Sequence, residues 1–170
     1  MDEPRSIRFL GLLRVLLHHG VDFFVVGGVA AQLEGAPILT LDLDILYEKK
    51  PENLNRLLAA LRELKARYRD PAGRKIEPDI EKLETLKRHL LLTELGALDV
   101  LGEIGKGLTY QDLVRRTQPY ELGEARVRVL ELAAVIETKE QANRAKDHAV
   151  LPVLRQTLVM KTALGRKEES

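Results

Sequence analysis

The chain contains no cysteine, which excludes disulfides and thiolate metal sites and suits a reducing compartment. Neither sign of charge is in excess: 27 Lys and Arg stand against 26 Asp and Glu in 170 residues. The broad positive field of an obligate nucleic-acid binder is therefore missing, although a local basic groove is compatible with these numbers. No charge-free apolar run reaches the roughly 18 residues that a membrane helix needs, and the opening MDEPRSIRF leads with Asp and Glu where a signal peptide leads with basic residues. These absences lead to the expectation of a soluble, cytoplasmic protein with no membrane partner. With 45% hydrophobic residues, the chain can bury one ordinary core but not two. The expectation is one domain over residues 1–164, with 165–170 (GRKEES) as a flexible tail.

What is present is an alternation of helical and extended patterns. Apolar residues from Ser6 to His19 make a broad helical face that stops at Gly20. Asp22 to Val26 reads as a buried strand, and Gly27-Gly28 turns it into a short helix, Val29 to Leu33, closed by Gly35. Thr40 to Tyr47 reads as a second strand, with Asp42 and Asp44 on one face and Leu41, Leu43 and Ile45 on the other. The helical period then covers 52–68, and RDPAGRKIEPD, residues 69–79, reads as a loop. His89–Thr93 and Ala97–Leu101 form a predicted hairpin around Glu94-Leu95-Gly96, with Asp99 in its second arm. Helical composition over Thr109–Arg116, a strand over Ala125–Leu130 and a helix over Glu131–Gln141 follow. Pro152 divides the C-terminal segment into Arg144–Leu151 and Pro152 to about Leu164.

Three strand carboxylates and a glycine turn have a specific chemical use. Carboxylates at i and i+2 of one strand, joined by one from a neighbour, supply the hard oxygen ligands that paired magnesium ions require in phosphoryl-transfer sites. Magnesium keeps several waters and takes further ligands from substrate phosphates, so the absence of a His/Cys cluster is no objection. Two glycines between strand and helix let backbone N–H groups approach a phosphate closely. Taken singly, each element has a plainer reading: a solvated strand face, an ordinary turn, an edge-strand charge. His18, His19, His89 and His148 show no triad or metal spacing, and Glu103 comes too late after the third strand to serve as a ligand.

The order of VVGGVAAQLEG, TLDLDILYE and ALDVLG resembles the glycine turn, the first metal pair and the third metal carboxylate of the nucleotidyltransferase superfamily, in particular its toxin-like branch from abortive-infection systems. The stretch VRVLELAAVIETKEQANRAKDHAVLPVL resembles that family's closing strand and helix pair. The resemblance implies an α/β fold of the polymerase-β-like, α+β type, with a mixed sheet flanked by helices. It implies transfer of a nucleoside monophosphate from a nucleoside triphosphate (NTP), using two Mg2+ ions held by Asp42, Asp44 and Asp99. Gly27 and Gly28, with Lys139 and Lys146, would bind the nucleotide. The acceptor is left open among tRNA, protein and small molecules, and an antitoxin-like partner is compatible with that branch. Gly28 stands where many members have serine, so only a backbone cradle remains, and Leu41 stands where relatives often carry a basic residue. A catalytically inactive binding or regulatory protein that keeps the fold is the alternative.

Overall fold

Phe23–Val26 forms β1, and all four of its side chains are buried. A strand with no polar face has to be covered on both sides, which places it inside a sheet. The computed structural model describes residues 5–169, with side chains from Arg8 onward; the lead 1–4, the side chains of Arg5, Ser6 and Ile7, and Ser170 lie outside the described residues. In it β1 pairs antiparallel with β2 (Leu43–Tyr47). On its other side β1 runs parallel to a late strand, Ala125–Leu130. The remaining strands are β3 (Arg67–Tyr68), β4 (Arg88–Thr93), β5 (Gly96–Leu101) and β6 (Thr117–Leu122), which makes Ala125–Leu130 β7. The seven form one mixed sheet in the order β3-β4-β5-β2-β1-β7-β6, with β2 parallel to β5 and the hairpins β4–β5 and β6–β7 antiparallel.

Helices flank this sheet. α1 (Arg5–His18) buries Leu12, Leu13 and Leu16, and Gly20, at φ +71°, turns the chain into β1. α2 (Gly27–Leu33) follows β1 without a linker. α3 (Pro51–Glu63) starts with proline in its first turn and buries Leu54, Leu57, Leu58 and Leu61 at helical spacing. The short α4 (Ile80–Thr85) is capped by Asp79, whose carboxylate accepts from the Lys82 N–H at 2.8 Å. α5 (Tyr110–Leu113) precedes β6, and α6 (Leu132–Ala142) and α7 (Ala145–Glu169) close the chain. No helix among the described residues is long and apolar enough to cross a membrane.

Apart from the start of β2, four elements differ from the sequence expectation. The helical period read over 52–68 ends at Glu63: Lys65 takes φ +51°, and Arg67-Tyr68 join the sheet against Leu92 and Leu91. β6 contains Pro119, which hides its strand character in the sequence; as the last strand of the sheet it has an open edge where a missing N–H is tolerated. α4 was not anticipated, being only six residues long. Pro152 does not divide the C-terminal segment, because α7 runs through it and continues to Glu169.

One buried polar side chain joins α3 to the sheet. Asn53, 1% exposed, accepts from the Asp22 N–H at 2.7 Å and donates to the Asp22 and Glu48 carbonyls at 3.0 and 2.8 Å. These bonds satisfy the backbone just before β1 and just after β2. Asn53→Ala leaves the Asp22 N–H and the Glu48 carbonyl without this partner, while the Asp22 carbonyl keeps the Glu48 N–H at 3.1 Å; the change costs about 2 kcal/mol and lowers the melting temperature by roughly 4–8 °C. A thermal scan that shows a change below about 1 °C would mean that water replaces the amide.

Candidate active site

Register across the sheet sets Leu90, Asp99, Asp44 and Val26 in one row. Residues opposite each other share a face, so Asp44 and Asp99 stand side by side on adjacent parallel strands. Leu43, Ile45, Leu98 and Val100 point the other way into the core, all 0% exposed. The two carboxyl groups act on each other directly, and a protonated Asp44 can share its proton with Asp99. Burial first, then the negative charge of Asp99, pushes Asp44 up to about 8, and Asp42 adds to the effect. Burial also raises Asp99, against the opposing charge of Arg69. Oδ1 of Asp44 is buried with no hydrogen-bonding partner.

Asp42 does not lie on the strand with Asp44, as its i, i+2 spacing had implied. β2 begins at Leu43, and residues 41–42 form a bend. The Thr40 hydroxyl donates to the Asp42 carbonyl at 3.1 Å across that bend. Leu41 is therefore 65% exposed and does not share the core face of Leu43. Asp42 reaches the other two carboxylates through Arg69, whose Nη1 lies 3.4 Å from Asp42 Oδ2 while Nη2 donates to Asp99 Oδ1. Among the described residues no three His, Cys, Asp or Glu side chains are gathered as a ready metal cage. Asp44 and Asp99 touch, and the guanidinium of Arg69 stands between Asp99 and Asp42.

The glycine turn is explained by its neighbours. Gly27 has φ +64°, and a Cβ there would lie 2.2 Å from Asp44 Oδ2. A Cβ on Gly28 would lie 2.8 Å from Thr40 Oγ1. The backbone at the start of α2 thus lies directly against the Asp44 carboxyl and the Thr40 hydroxyl, and no side chain caps the helix. Of the two lysines, Lys139 on α6 is drawn in: its side chain is 17% exposed and its charge acts on Asp44. Lys139 Nζ also lies 3.5 Å from the buried Asp147, which accepts from Arg144 Nε at 2.7 Å. Lys146 is exposed on α7, and its charge is not among those that shift Asp44 or Asp99.

The donor set suits a hard divalent cation. Two adjacent carboxyls, with Asp44 Oδ1 left without a partner although the guanidinium of Arg69 lies against Asp99, form a site short of positive charge. Sequence reasoning missed Arg69 and Thr40. Arg69 is 30 residues from Asp99 in a charged stretch that reads as loop, and only its hydrogen bond to β4, from its N–H to the Leu90 carbonyl at 3.0 Å, carries it to the row. Thr40 carries no signal beyond its nearness to Asp42.

No protein-family model and no curated protein matches the sequence. Solved structures do. A candidate nucleotidyltransferase of Thermotoga maritima, TM1012, is 19% identical, with a TM-score of 0.57 over 89% of this chain and 93% of its own. The lincosamide antibiotic adenylyltransferase LnuA, solved with lincomycin, is 12% identical with a TM-score of 0.60 over 88% and 96%. The antibiotic-resistance factor ANT(2'')-Ia is 14% identical with a TM-score of 0.54 over 99% and 95%. At these identities the likeness establishes the fold: a polymerase-β-like nucleotidyltransferase fold, with one mixed sheet flanked by helices.

Proposed function

We propose that this protein moves a nucleoside monophosphate from an NTP to a hydroxyl-bearing acceptor and releases pyrophosphate, with magnesium held by Asp42, Asp44 and Asp99. The observation that carries the reading is the registered Asp44–Asp99 pair, facing one way from adjacent strands and lying against the glycine turn. Bound magnesium would supply Lewis-acid polarisation of the phosphates and a template for the attacking and leaving oxygens. Asp99, the more accessible member of the pair, takes the proton of the acceptor hydroxyl as its oxygen bonds to the α-phosphorus. The bond from that phosphorus to the bridging oxygen breaks, and pyrophosphate leaves. The missing Cβ atoms of Gly27 and Gly28 let the Asp44 carboxyl and the Thr40 hydroxyl close on the start of α2, and the polyphosphate would meet the backbone N–H groups beside them. Lys139 contributes positive charge on the same side. The name of LnuA, an antibiotic adenylyltransferase, supports a small-molecule acceptor ahead of tRNA or protein. A toxin-like role with an antitoxin-like partner rests on the sequence resemblance alone.

A second reading, a nucleotide-binding or regulatory protein without catalysis, is favoured by one observation: Arg69 sits among the carboxylates. Incubation with magnesium, cell extract and NTPs labelled in turn at the α- and γ-phosphates separates the two. Transfer requires the α-label in a product and the γ-label in pyrophosphate. Binding of NTP with no labelled product would select the second reading.

A further inference from the structure

Arg69 follows β3, and its N–H donates to the Leu90 carbonyl at 3.0 Å, so its backbone is tied to the row that carries Asp99. Its side chain is only 30% exposed. The two terminal nitrogens are spent on two different carboxylates, Asp42 and Asp99, while Nε is buried with no acceptor. The Asp44 oxygen Oδ1 likewise has no donor. Buried polar groups are ordinarily paired, so the guanidinium satisfies this site incompletely. A change of occupant relieves that shortfall.

We propose that Arg69 is the resting counter-ion of the carboxylate site: its guanidinium holds Asp42 and Asp99 together until a divalent cation replaces it. This rests on the metal-site reading above and names what the metal must displace. A guanidinium stays protonated at any working pH, so it cannot vacate the oxygens by losing a proton and has to move as a whole. Two cations within about 4 Å repel each other, and the Asp42 and Asp99 oxygens that Arg69 uses are the ones a metal would take. Arg69 therefore sets the metal concentration at which the site fills. The planar fork spans two separated carboxylates in a way that the single ammonium of lysine does not.

The test is binding of Mn2+ alone to the full-length, metal-free protein, read from the electron paramagnetic resonance of the unbound ion. Arg69→Gln should bind Mn2+ roughly tenfold more tightly than the wild type, the scale of one charge-assisted contact no longer competing. Arg69→Lys, which keeps the charge and guards against a folding failure of the glutamine variant, should fall between the two. Arg74→Gln removes a guanidinium whose partner is Asp70, and should bind as the wild type does. Equal or weaker binding by Arg69→Gln overturns the inference and leaves the metal site standing. Absence of Mn2+ binding in every variant at millimolar concentrations overturns both.

Discussion

On the proposed nucleotidyl-transfer reading, Asp44→Asn should lower transfer at least a thousandfold while leaving the metal-free melting temperature unchanged or slightly higher. The two halves of this result have one cause. Without a cation, burial and the neighbouring Asp99 push Asp44 up to about 8, so near neutral pH it is largely an uncharged carboxyl bonded to Asp99. An amide has nearly the same shape and offers an N–H donor where the carboxyl offered O–H, so the resting fold loses little. The amide cannot become a carboxylate when a metal arrives, and a thousandfold loss corresponds to about 4 kcal/mol of transition-state stabilisation. Thermal scans give the second readout. At a hundredfold excess over the dissociation constant, ligand adds about 2.7 kcal/mol, or roughly 5–10 °C for a chain of this length. Magnesium with the preferred NTP should raise the wild type by that much and the variant hardly at all. A variant as active as the wild type, or one that melts well below it while the wild type ignores ligand, would remove Asp44 from the metal site.

Lowering the pH from about 6.5 to 4 should cost the wild type about 3 kcal/mol relative to His89→Gln. His89 is 0% exposed between two phenols: its Nδ1 lies 2.6 Å from the Tyr68 hydroxyl and its Nε2 lies 3.3 Å from that of Tyr47. Tyr47 donates its own proton to the Leu83 carbonyl at 3.0 Å, which leaves its oxygen to accept from Nε2. The neutral imidazole fits this chain. Burial first, and the charge of Lys49 second, lower His89 to about 4. The unfolded chain takes up the proton near 6.5, so between 6.5 and 4 it binds more protons than the folded one. The stabilisation is complete above 6.5 and is lost as the pH falls to 4. The raised carboxyls of Asp44 and Asp99 slope in the opposite direction over this range. The difference between the wild type and His89→Gln in urea titrations isolates the histidine. Parallel curves for the two proteins from pH 6.5 to 4 would show that His89 is not held neutral.

The sequence by itself determined the order of parts and the side chains they bring to the site. An all-apolar β1, a Gly-Gly turn, aspartates at the start of the next strand and another in a hairpin arm are local features, and local patterns of period 2 and 3.6 reveal them. Tertiary structure decided which of those residues meet. The parallel pairing of β2 with β5 joins strands about fifty residues apart and brings Asp44 against Asp99, an alignment that no local pattern encodes. The same pairing buries the carboxyls and shifts them. The bend at Leu41-Asp42 removed Asp42 from the strand that alternation had given it, because the Thr40 hydroxyl turns the backbone there. Arg69 was invisible for a similar reason: the helical period runs on to Tyr68, and only the pairing of β3 with β4 ends it and carries the guanidinium to the carboxylates. Local propensity acts over a few residues, whereas charge and metal sites are made by contacts between distant ones, so the elements were legible in the sequence and the counter-ion of the site was not.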